Sequence, residues 1–116
     1  MVKKEKAAPA TRKIRILEAA FRDIDEITDF IAIISQQPLN AVKVTDKFFE
    51  TIDRIEHAPL AFKECPHILT KTKIYRQAVC LSWLIIYKVT ATEIIILAII
   101  HGARQPSKIR KIRERK

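Results

Sequence analysis

Glycine is almost absent from this chain: Gly102 is the one glycine in 116 residues. That scarcity excludes dinucleotide fingerprints and phosphate-cradling loops, which need several glycines so that backbone can approach a phosphate. Cysteine is scarce as well. Cys65 and Cys80, even with His67 and His101, show none of the close Cys or His spacings of a zinc site. No metal and no cofactor are therefore expected. Neither His-Glu-x-x-His nor Gly-x-Ser-x-Gly occurs. Lys88 and Glu93 interrupt the one long apolar stretch before it reaches the ~20 residues of a membrane helix. The opening Met-Val-Lys-Lys-Glu-Lys lacks the apolar core of a secretory signal. Cytoplasmic residence is the expectation, with both thiols reduced and Cys80 a small apolar strand residue.

What the chain has is apolar content and positive charge. A hydrophobic fraction of 48% at this length suits one globular domain with its own core. The net charge of +9 sits at the ends. Residues 1–13 hold five basic and one acidic side chain, residues 104–116 hold seven and one, and the body between them is left with −1. Residues 1–12 therefore read as a flexible arm, 13–104 as the domain and 105–116 as a basic tail. Such a tail suits a nucleic-acid backbone, an acidic protein segment or plain solvation alike.

Along the body, Lys13 to Ala19 alternates Ile14, Ile16 and Glu18 against Lys13, Arg15 and Leu17, predicting a short strand with one clear apolar side. Asp23-x-x-Glu26 has the form of a capping box, and Ile24, Ile27, Phe30, Ile31 and Ile34 recur behind it at helical spacing, predicting a helix over 23–36. Gln36-Gln37-Pro38 breaks it. A second helix, over 39–57, carries the stripe Ala41, Val44 or Thr45, Phe48, Ile52 and Ile55 and ends before Pro59. So short a link makes the two an antiparallel helical hairpin. Strands follow at 74–81, 82–89 and 94–101, with a short basic helix from Ser107. The unalternating run Ile94–Ile100 marks a central strand covered on both faces. Trp83 and Tyr87 share a face and are expected to pack in the core. The order β-α-α-β-β-β predicts an α+β domain, an antiparallel meander packed against a helical hairpin.

Chemistry is expected where the last strand ends, at His101-Gly-Ala-Arg104. A histidine moves protons near neutral pH and an arginine offers a fixed fork to phosphate or carboxylate. Gly102 is expected to provide a sharp turn there. The plainer alternative is a pair of strand-end residues bonded to backbone and to a helix acid. Lys71, Lys73 and Arg76 precede or open the first meander strand. They would share a groove with Arg104 if that strand neighboured the last one, or else serve as edge lysines.

Three stretches together resemble the ParE/RelE superfamily of toxins from bacterial type II toxin–antitoxin pairs. They are Ala20-x-x-Asp23-Ile24-x-x-Ile27-x-x-Phe30-Ile31; Pro38-x-x-Ala41 with the Phe48, Ile52, Ile55 stripe and Pro59; and Trp83-x-Ile85-Ile86-Tyr87-x-Val89 with the His101-Gly-Ala-Arg104 ending. The resemblance implies the same β-α-α-β-β-β fold. On its ParE side it implies a protein that binds DNA gyrase, gripping it through Arg104, His101, Lys71 and Lys73. On its RelE side it implies a ribosome-dependent messenger-RNA endoribonuclease, with Arg104, His101 and Arg76 as the residues left to catalyse. The second-strand lysine pair of RelE falls near Tyr75 and Gln77, and its third-strand arginine near Leu84, so neither is kept. The helical hairpin and the His-Gly-Ala-Arg ending look more like ParE. Either branch implies a cognate antitoxin, expected on Phe48 and Ile52 of the hairpin and on the basic Lys108 and Arg110, in a hetero-oligomer.

Overall fold

A computed structural model describes residues 12–116; all of the expected arm but Arg12 lies outside the described residues. The chain runs β1 (Lys13–Ile16), α1 (Glu18–Asp29), a π-helical turn (Phe30–Ile34), α2 (Pro38–His57), β2 (Tyr75–Cys80), β3 (Trp83–Val89), β4 (Glu93–His101), α3 (Pro106–Lys111) and a 3-10 turn (Ile112–Glu114). One four-stranded sheet in the order β1-β4-β3-β2 carries the hairpin of α1 and α2 on one face. β2, β3 and β4 form the expected antiparallel meander, and β1 pairs in parallel with β4. No helix among the described residues is long and apolar enough to cross a membrane.

The apolar run of β4 explains the sheet. Every residue from Ile94 to Ile100 is buried because β4 lies between β1 and β3 and is covered on both faces. Ile94, Ile96 and Ile99 pack under the hairpin with Phe48, Ile52 and Ile55. Ile95, Leu97, Ala98 and Ile100 pack on the other face with Ile109 and Ile112. This division is not strictly alternating. Ile86 pairs with Ala98 and Tyr87 with Ile96, leaving Leu97 as an extra residue. Such a bulge puts two neighbouring side chains on one face and inverts the alternation beyond it.

The bulge exposes backbone groups where β1 has already ended, and two side chains take them up. Asp23 accepts from the Ile99 amide at 3.0 Å, and Arg115 donates to the Leu97 carbonyl at 2.9 Å and to Asp23 at 2.8 Å. Asp23 is thus no capping residue. α1 begins earlier, at Glu18, after Leu17, and no side chain caps it. The acid spacing imitated a capping box because the same carboxylate has to reach down to β4.

The basic tail is likewise part of the domain. Ile109 and Ile112 are buried against the sheet face away from the hairpin. On the far edge, the Cys65 amide bonds to Tyr75 and the Gln77 amide to Lys63, so residues 63–65 cover part of β2. Arg76 donates to the Phe62 carbonyl at 2.7 Å and Tyr87 to that of Pro59 at 2.6 Å. Burial pushes the Tyr87 phenol well above its ordinary pKa, against the opposing influence of Arg76, so it stays a donor. Trp83 and Tyr87 do face the core, and both cysteines are free and buried.

Asp23→Ala strips the Ile99 amide and Arg115 of their shared acceptor, so it is expected to cost about 2–3 kcal/mol in urea unfolding. Arg115→Ala costs less, and the double variant falls short of the sum by at least about 0.5 kcal/mol because both serve one bulge.

Candidate functional site

The expected site lies at the end of β4, beside a groove. A groove of about 460 Å³ opens between the C-terminal part of α1 with its π-helical turn and the β3–β4 end, lined by Glu26, Ile27, Phe30, Ile31, Trp83, His101 and Arg104. Its walls are apolar, and its charged or ionisable groups are one carboxylate, one imidazole and one guanidinium. His101 pairs with Trp83 across the strands. The indole stands edge-on to the imidazole at 6.1 Å between centroids and to Phe48 at 5.5 Å, which fixes the groove floor from the core outward.

The strand-end turn orients His101. The Ala103 amide donates to His101 Nδ1 at 3.1 Å, the arrangement of a neutral ring whose own N–H is at Nε2. The Gly102 amide bonds to the Ser82 carbonyl and the Arg104 amide to the His101 carbonyl. His101 and Arg104 are both exposed, and Arg104 forms no ion pair with another described residue. Gly102, expected to supply conformational freedom, does not: its φ is not positive, and an added Cβ would lie 3.4 Å from the Ser82 oxygen, an ordinary contact. The left-handed positions fall instead on Gln36, Lys73 and Leu81.

The other expected site residues are not gathered here. β3 separates β2 from β4, so the condition for a shared groove with Lys71 and Lys73 fails. Both lysines stand in the turn before β2, at the end of the sheet where β4 begins, about 25 Å along β4 from His101 at the usual rise per residue. Arg76 sits opposite Tyr87, and Trp83 opposite His101, which puts it roughly 13 Å along the sheet. Its guanidinium is engaged by the Phe62 and Leu60 carbonyls, and its Nε is buried without a partner. Arg76, His101 and Arg104 therefore do not converge on one scissile bond. Among the described residues no three His, Cys, Asp or Glu side chains are grouped to hold a metal.

The expected antitoxin contacts divide. Lys108 and Arg110 are exposed. Phe48 and Ile52 are 0% and 5% exposed, so they face the sheet and offer a partner nothing. The hairpin's outward apolar residues are others: Phe30, Ile33 and Ile34 on the π-helical turn, and Leu39, Val42 and Phe49 on α2. Apolar periodicity marked a helix face correctly, but a second, outer stripe was overlooked because it is broken by Asp46 and Lys43. Glu26 and Phe30 were missed as groove residues for a different reason: only the packing of the hairpin brings them opposite β4.

Comparison with known proteins agrees with this architecture. Residues 14–106 match the family described as ParE toxin of type II toxin–antitoxin system, parDE. Ten chains of solved structures match. One, from a structure described as the chromosomal ParDE TA system from P. aeruginosa, is similar over 78% of this chain and 96% of that one, with a TM-score of 0.63 and 19% identity. No curated protein sequence matches.

Two substitutions test these placements by thermal or urea unfolding. Phe48→Ala empties a core position and is expected to cost about 3–5 kcal/mol. Gly102→Ala is expected to be neutral or to stabilise by up to about 1 kcal/mol, since the backbone there is open to any residue.

Proposed function

The chain belongs to the family of ParE toxins of type II toxin–antitoxin systems, and from that premise we propose that it arrests bacterial growth in the cytoplasm by binding DNA gyrase through the His101–Arg104 groove. The observation that carries the proposal is the groove's chemistry. It offers apolar walls from Ile27, Phe30, Ile31 and Trp83 around the Arg104 guanidinium, which forms no ion pair with another described residue, and this suits a protein segment with an apolar anchor and an acidic group. RNA cleavage asks for something else: cations clustered about a phosphate and groups that pass protons. Arg76, tied to loop carbonyls far along the sheet, supplies neither. The reading is one of grip rather than cleavage.

A cognate antitoxin completes the proposal. Its apolar residues would cover the outer stripe Leu39, Val42 and Phe49, and its acidic ones would meet Lys108 and Arg110. Removing residues 107–116 is no clean test of that contact, since Ile109 and Ile112 would leave the core with them. Point substitutions are the right probe.

With purified gyrase and relaxed plasmid, the protein is expected to suppress supercoiling, and Arg104→Ala to weaken suppression by about tenfold or more while leaving the unfolding midpoint unchanged. Undiminished supercoiling together with trimmed messages in a translation extract would overturn the gyrase reading in favour of the ribonuclease. Against the cognate antitoxin, Leu39→Asp with Val42→Asp is expected to cost about tenfold or more in affinity, measured by titration calorimetry. Lys108→Glu with Arg110→Glu should chiefly slow association and make it less salt-sensitive.

A further inference from the structure

Charge in this molecule is segregated by face. Of thirteen acidic residues, nine lie on α1 and α2: Glu18, Asp23, Asp25, Glu26 and Asp29 on the first, Asp46, Glu50, Asp53 and Glu56 on the second. The sheet face away from the hairpin carries the opposite sign. A cleft of about 450 Å³ there is lined by Arg15, Lys88, Arg113, Arg115, Lys116 and Tyr75, with no acidic side chain in its wall among the described residues. These residues come from β1, β3, β2 and the C-terminal segment, which are far apart in sequence, so no charge run in the sequence announces the cluster.

Its geometry follows from strand register. Arg15 pairs with Ile95, Ile95 with Lys88 and Lys88 with Tyr75, making one row straight across the four strands. Paired residues point to the same face, so Arg15 and Lys88 flank Ile95 about 10 Å apart, two strand spacings. Arg113, Arg115 and Lys116 close the cleft from the chain end that Ile109 and Ile112 anchor. Two of the cations are already engaged, Arg15 with Glu93 at 3.1 Å and Arg115 with Asp23 at 2.8 Å. Lys88, Arg113 and Lys116 form no ion pair with another described residue. Lys88 rests over the Tyr75 ring, 5.8 Å from its centroid.

We propose that this cleft, separate from the His101–Arg104 groove, binds the phosphodiester backbone of a nucleic acid. A row of fixed cations with guanidinium forks suits repeated phosphates, and the acidic hairpin on the opposite face turns a polyanion toward this one. An acidic peptide is the competing occupant, and the cleft floor speaks against it. Ile95, Leu97 and Tyr75 are all less than a tenth exposed, so the floor gives little hold to the anchoring side chains that peptide recognition relies on. Charge is what the cleft presents, and a backbone-binding site needs little else. The proposal stands whether or not gyrase is the toxin's target.

The test uses the full chain and fluorescence anisotropy with three labelled probes: a short mixed-sequence single-stranded RNA, the DNA of the same sequence, and a poly-glutamate peptide of equal charge. Wild type is expected to bind both oligonucleotides alike, and at least about tenfold more tightly than poly-glutamate at ~50 mM salt. Lys88→Ala with Arg113→Ala and Lys116→Ala is expected to cost about tenfold or more and to lower the slope of log affinity against log salt by about 2, since three phosphate contacts vanish. A control that removes the same charge elsewhere, Lys43→Ala with Lys47→Ala and Lys63→Ala, is expected to change affinity less than about threefold. Unfolding midpoints read on both triple variants separate lost binding from lost folding. Equal losses in the two variants would overturn the proposal, since the binding would then be diffuse charge. So would poly-glutamate binding as tightly as RNA, or no oligonucleotide binding at low salt.

Discussion

The bulge at Leu97 governs more of this molecule than any other local feature. A strand alternates faces strictly, so one inserted residue reverses every side chain beyond it. Before the bulge Ile94 and Ile96 face the hairpin; after it Ile99 and His101 do. Without the insertion His101 would point to the opposite face of the sheet and the groove beside Trp83 would lose its imidazole. The bulge in turn depends on Asp23 and Arg115, which satisfy the Ile99 amide and the Leu97 carbonyl that a regular ladder would have paired. One carboxylate on α1 and one guanidinium near the chain end therefore hold a distortion that sets which face His101 occupies.

The same arrangement binds the ends of the chain into the domain. Arg115 reaches β4 because Ile109 and Ile112 are buried against the sheet and bring the last residues alongside it. Basic residues that look like a free tail in the sequence thus become a wall of a cleft. Structural and electrostatic roles coincide there: the apolar side chains anchor the segment, and the cations between them are left facing solvent. Because α1 and α2 hold most of the acids, the two faces of the domain carry opposite signs, although the body of the chain is nearly neutral.

The two apolar faces of the hairpin follow from helix geometry. Phe48, Ile52 and Ile55 form the inner stripe and are consumed by the sheet. Leu39, Val42 and Phe49 lie on the outer side, and Phe30, Ile33 and Ile34 crown the tip. Several large apolar side chains exposed on one hairpin are a common mark of a protein partner. The π-helical turn contributes to both surfaces, since Ile31 packs inward and lines the groove while Ile33 and Ile34 point out.

Element types and their order were legible in the sequence, because each depends on local pattern: the 3.6-residue stripes of the hairpin, Pro38 and Pro59 at the helix boundaries, and the unbroken Ile94–Ile100 run that can only be covered on both faces. The strand-end placement of His101 and Arg104 was legible for the same reason. Residues that act across the fold were not. Asp23 has the spacing of a cap but serves as an acceptor for β4, and Gly102 stands in the expected turn but without a positive φ. Phe48 and Ile52 are apolar like any binding residue, yet burial removes them, and Arg76 is basic but already spent on loop carbonyls. Sequence alone determined what each segment is, since periodicity and proline act over a few residues. Which side chains meet was decided only by the tertiary structure: strand order kept Lys71 and Lys73 from Arg104, and one unpaired residue in β4 chose the face on which His101 stands.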